Sequence, residues 1–107
     1  MLTFSNKLYI GESINKKKLG FYKLGLKQGR GFIKIYLLTL SNNDSDQIDI
    51  IHNSMLKQHL YRKLPLRVVG LSNSREEALE IVNRIICETL ENTGNANIKD
   101  YLIKNFD

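Results

Sequence analysis

The chain has 107 residues, 42% of them hydrophobic and 25% charged, with a formal net charge of +5. That size sets one domain over residues 1–107 with a single ordinary core, and the composition is globular, without repeats or low-complexity tracts. It excludes a membrane-spanning helix, because the longest apolar run, residues 35–38 (IYLL), falls far short of the ~20 residues a bilayer requires.

The N-terminus, MLTFSNKLYIGES, has neither a basic start nor a long apolar stretch, so no secretion signal is expected and the chain reads as cytoplasmic. Its apolar residues predict a short first strand over 7–10 (KLYI). The segment 15–31, NKKKLGFYKLGLKQGRG, allows two readings. Leu19, Tyr22 and Leu26 suit a basic amphipathic helix, although Gly20 and Gly25 each disfavour it by about 1 kcal/mol against alanine. As an alternative, residues 21–26 pair with 32–38 through a turn at 28–31. The helix is the favoured reading.

Residues 32–40 (FIKIYLLTL) predict a strand covered on both faces. In residues 44–63, Ile48, Ile51, His52, Met55, Leu56, His59 and Leu60 fall at helical spacing. Asp44 or Ser45 would cap that helix, with Asp46 and Asp49 near its positive end. Pro65 then precedes a strand over 66–71 (LRVVGL). The next helix opens at Ser74, with Glu77 completing a capping box, carries a stripe of Ala78, Leu79, Val82, Ile85, Ile86, Thr89 and Leu90, and stops at Gly94. A last helix over 98–105 is favoured by Asn97 and Asp100.

The expected fold is therefore α/β, in the order β-α-β-α-β-α-α, with helices packed on a three-stranded parallel or mixed sheet. A sheet so small leaves an apolar face or edge uncovered, which points to a homodimer. The strings YLLTL, LRVVGL, SREEALEIVNRIICETLENTG and IKDYL, within residues 32–103, resemble a family of small uncharacterised proteins of low-GC Gram-positive anaerobic bacteria. No activity is attached to that family, so the resemblance implies no site.

The stretch Gly70, Leu71, Ser72, Asn73, Ser74 between strand and helix could bind an anion through Gly70, Ser72, Asn73 and Ser74. The polar loops at 11–13 and 41–45 would join it at the carboxyl edge of a parallel sheet. Against this, the chain has no GxxxxGK[ST], the loop has a single glycine, and Glu76 and Glu77 would repel phosphate. A nucleophile elbow at Ser72 lacks its second glycine. His52 and His59 stand seven apart, too far along a helix to chelate one ion. Cys87 lies among glutamates, which disfavour a thiolate, and as the single cysteine it forms no intrachain disulfide. Glu12, Asp44 and Asp46 could meet at the carboxyl edge and hold Mg²⁺, but the two aspartates serve as caps. No cofactor, metal or catalytic set is predicted, and an enzyme is not expected.

The charge is uneven. Residues 1–40 hold eight Lys or Arg and one acid, Glu12, whereas 41–107 hold eight basic and ten acidic residues. Lys16, Lys17, Lys18, Lys23, Lys27 and Arg30, with Phe21 and Tyr22 interleaved, could bind nucleic acid, though no recognised nucleic-acid motif accompanies them. The leading expectation is a non-catalytic interaction or regulatory module that self-associates or binds a protein partner. The alternatives are a nucleic-acid binder and a small anion or nucleotide binder.

Overall fold

Three apolar runs and one β-branched stretch assemble into a single four-stranded sheet with helices on both faces. The structure is a computed structural model that describes residues 2–28, 34–43, 46–58 and 64–106. In chain order the elements are β1 (Leu2–Ile10), a 3-10 turn (Lys16–Lys18), α1 (Leu19–Lys27), β2 (Tyr36–Leu40), β3 (Ile48–His52), a second 3-10 turn (Asn53–Lys57), β4 (Leu66–Ser72), α2 (Arg75–Thr93) and α3 (Ile98–Lys104). The radius of gyration of 13.3 Å matches the ~13 Å of a compact chain this long.

The strand order is β1-β4-β2-β3. β1 and β4 run parallel, while β4 with β2 and β2 with β3 are antiparallel. The sheet is thus mixed, with four strands where three were expected.

The added strand lies inside the expected second helix. Residues 48–52 (IDIIH) form β3, pairing from Tyr36↔His52 to Leu40↔Ile48. The spacing of Ile48, Ile51 and His52 fits a helix, but three isoleucines in five residues suit a pleated surface better. The Asn/Asp cluster before them makes a hairpin loop instead of a helix cap. Asn43 Oδ1 accepts from Asp46 N at 2.8 Å, and Ser41 N donates to Gln47 O at 3.0 Å. The same short polar side chains serve caps and turns alike, so their presence alone does not choose between them. Past β3, buried Asn53 extends the hairpin: its N–H donates to Ile35 O at 2.9 Å, and its Oδ1 accepts from Ile35 N at 3.2 Å. His59 and Leu60 of the expected stripe, with Phe32 and Ile33 of the expected strand, lie outside the described residues.

α1 is a helix, as favoured, with Gly25 and Leu26 buried. Leu26 and Ile14 pack over Ile35, Leu37, Ile51, Val68 and Leu71 on one face of the sheet. On the other face, Ala78, Ile81 and Ile85 of α2 and Ile98 and Leu102 of α3 pack over Tyr9, Leu38, Leu40 and Val69. Both faces therefore carry helices, while β3 remains an edge strand among the described residues. α2 has the expected ends: Ser74 Oγ accepts from Glu77 N at 3.1 Å, and Gly94 at φ +78° donates its N–H to Leu90 O at 2.9 Å.

β1 is longer than its apolar residues suggested, because a bulge interrupts them. Its register runs Phe4↔Val68 and then Tyr9↔Gly70, leaving residues 5–8 against Val69. The carbonyl of Phe106 fills that irregularity, accepting from Asn6 N at 2.9 Å and Ser5 Oγ at 3.0 Å.

Candidate functional site

Because β1 and β4 are parallel, the loops that follow them meet at one rim, as expected. Gly11 N donates to Leu71 O at 2.9 Å, and Asn73 Nδ2 donates to Ser13 O at 3.1 Å. The third loop does not join them. β2 is antiparallel to β4, so residues 41–43 emerge at the opposite end of the sheet, with Asp44 and Ser45 outside the described residues. For the same reason Glu12 and Asp46 lie at opposite ends and cannot share one Mg²⁺. Among the described residues no three His, Cys, Asp or Glu side chains come together as a metal site.

The rim where an anion would sit holds the protein's own carboxylate. Glu77 accepts from Ser13 Oγ at 2.6 Å, Ser13 N at 3.3 Å and Asn73 N at 3.2 Å. A standard capping box would turn this carboxylate to the N–H of Ser74; here it reaches across to the loop after β1. Burial pushes the Glu77 carboxyl up, but the bonds from Ser13 and Asn73 outweigh it and hold the group below its ordinary value. A Cβ on Gly11 would lie 1.9 Å from Glu77 Oε1, so that glycine makes room for the carboxylate. The other residues proposed for an anion are also engaged. Ser72 Oγ donates to Ser74 O at 2.8 Å, and Gly70 sits inside β4, where a Cβ would lie 2.9 Å from Tyr9 O. An incoming anion would have to displace Glu77 first.

A second polar cluster, unforeseen from sequence, joins β1 to α2. Tyr9 Oη donates to Glu88, and Lys7 Nζ lies 2.9 Å from the other carboxylate oxygen. Burial first, then the Glu88 contact, pushes the Tyr9 hydroxyl well above the usual phenol range. Burial raises Glu88 too, but the bonds from Tyr9 and Lys7 prevail and keep it ionised below its ordinary value. A phenol held protonated beside a satisfied carboxylate is no nucleophile or base; the cluster is a brace. Its sequence signal was too weak to find, since the three residues are 81 positions apart at the extremes.

At the far end, Asp46, Gln47, Asn97, Lys99, Asp100 and Ile103 line an open cleft of about 270 Å³. Its polar groups are partly spent: Lys99 N donates to Gln47 Oε1 at 3.1 Å, and Asn97 Oδ1 accepts from Asp100 N at 3.2 Å. His52 lies on β3, not on a helix face with His59. Its Nδ1 is 2.8 Å from Ser54 Oγ, and its ring packs edge-on against Tyr36 at 5.0 Å. Cys87 is exposed and free.

The basic residues do share one region. Lys16, Lys17 and Lys18 form the exposed 3-10 turn leading into α1, and Lys23 and Lys27 follow on the helix itself. Arg30 lies outside the described residues. No helix among the described residues is long and apolar enough to cross a membrane. No protein-family model, no curated protein and no solved structure matches the chain.

Proposed function

We propose that the chain is a non-catalytic interaction module that self-associates through the β3 side of its sheet. The observation that carries this reading is the incomplete cover over that side. α2 lies along β4 and β2, and on its face of the sheet Ile48 and Ile50 of β3 remain only partly buried. Glu88 reaches β1 from one flank of α2. Helical geometry places Val82, Ile86, Leu79 and Leu90 on the opposite flank, towards β2 and β3. Leu79 and Leu90 are 47% and 45% exposed there.

β3 is also an edge strand, with no neighbour on its outer side among the described residues. It carries no lysine, proline or bulge, and Asp49 is its one acidic side chain against pairing. A second copy is the natural occupant. A two-fold axis at Ile50 sets Ile50 on its own copy, Ile48 opposite His52, and the leucine flanks of two α2 helices over the seam.

Sedimentation velocity from low to high micromolar protein tests this. We expect a monomer–dimer equilibrium that Ile50→Lys shifts to monomer, with the dilute variant still melting cooperatively. A wild-type chain that sediments as a monomer throughout overturns the reading.

A further inference from the structure

We propose that the lysine face of α1 docks single-stranded nucleic acid, with Phe21 stacking on a base. The surface lies on the face of the sheet opposite α2, so it stands apart from the self-association seam. Between Glu12 and Asp44 the sequence has no acidic residue, and the lysines of this stretch have no carboxylate of their own segment to pair with.

The local arrangement is electrostatically unfavourable as it stands. Lys16, Lys17 and Lys18 crowd the N-terminal, positive end of the α1 dipole, and Lys18 is its N-cap without a side-chain capping bond. An anion laid there relieves the repulsion. Lys23 and Lys27 extend the track, their ammonium groups 5.6 and 5.7 Å from the ring centre of Phe4 on the β1 flank. From Lys17 to Lys27 the helical rise gives roughly 15 Å, enough to lie along several phosphates. Across the outward side of α1 from Lys23 and Lys27, past Gly20, helical geometry sets Phe21, which is 50% exposed.

The chemistry favours a polyphosphate with bases over a lipid surface. Interfacial helices hold a bilayer by a long apolar face, whereas α1 has nine residues and offers only Phe21 and Leu24 outward. Charge dominates here, and Phe21, the one exposed ring of α1, suits an unstacked base, which a duplex does not present.

Fluorescence anisotropy with a labelled oligothymidylate, the matched duplex and phosphatidylserine vesicles as competitor tests the proposal. We expect binding at low ionic strength, tighter for the single strand. The combined change Lys16→Ala, Lys17→Ala and Lys18→Ala should flatten the log K against log salt slope by about 2. Phe21→Ala should weaken binding roughly tenfold, Phe21→Tyr should restore it, and Leu24→Ala should leave it unaltered. The idea falls if no oligonucleotide binds at low salt, or if the triple lysine change leaves the slope intact. It falls equally if vesicles displace the strand and Leu24→Ala weakens binding as much as Phe21→Ala, which would mark a membrane surface.

Discussion

Glu77 shows how one side chain can close a site that its neighbours seem to prepare. The strand–turn–helix junction offers the N–H groups that bind phosphate in other settings, and Glu77 takes them for itself. Gly11 and Glu77 should therefore behave as a coupled pair. Gly11→Ala should destabilise by about 1–2 kcal/mol by expelling the carboxylate from its bonds, and by clearly less in a Glu77→Ala background. Urea denaturation of the four proteins measures that coupling. Glu77 and Glu88 also give the fold an acid limit. Both are depressed below the ordinary carboxyl value of 4.5, so their stabilisation is present above that value and is lost as pH falls through the lower native one. In Glu77→Gln, Glu88→Gln protein the denaturation midpoint should fall at pH 7 and vary less between pH 7 and 3.

At the scale of elements, close approach of backbones decides what the strands tolerate. A Cβ on Gly70 would lie 2.9 Å from Tyr9 O and 3.3 Å from Leu38 Cδ1, so β4 is pinched there between two neighbours. Gly70→Ala must part β1 from β4 and should destabilise by about 1–3 kcal/mol. By contrast, Gly20→Ala on α1, where nothing lies within 4 Å of an added Cβ, should stabilise by up to about 1 kcal/mol. Thermal denaturation of the two variants separates these signs. The elements legible in the sequence were those marked by local signals. β4, the Ser74 cap, α2, its Gly94 stop and α3 emerged nearly to the residue, since caps and 3.6-residue periodicity act within a few positions. What escaped depended on distant partners. β3 is a strand because β2 pairs with it, and the first half of β1 is a strand because β4 does. The rim was half legible: its two loops meet as expected, but the direction of the Glu77 carboxylate depends on Ser13, sixty-four positions away.

For the whole molecule, the layers explain why one side is finished and the other open. α2 spans the middle of the sheet, α3 closes its end, and β3 projects beyond α2 with a partly buried acid, Asp49, opposite Thr39. Burial, then the charge of Asp46, raises the Asp49 carboxyl, while Lys99 opposes both. Pairing of β3 with a second copy would take Asp49 further from water and favour its protonated form. Self-association should therefore strengthen as pH falls from 7 towards the carboxyl range, and a proton should be taken up on dimer formation. Sedimentation across that range checks this in a His52→Gln background. Asp49→Asn should abolish the dependence and tighten the dimer at pH 7.

The parallel pairing of β1 with β4 sets an order in time as well as in space. During synthesis β1 leaves the ribosome ahead of β4, yet Phe4 has no strand beside it until Val68 emerges, and its bulge stays open until Phe106 arrives. At about 5–20 residues per second that leaves an apolar segment waiting for several seconds. The β2–β3 hairpin, whose contacts are local, can close long before. A nascent chain of this protein should thus carry a ready hairpin and an unclaimed β1, a state that invites chaperone capture until Phe106 locks it in place.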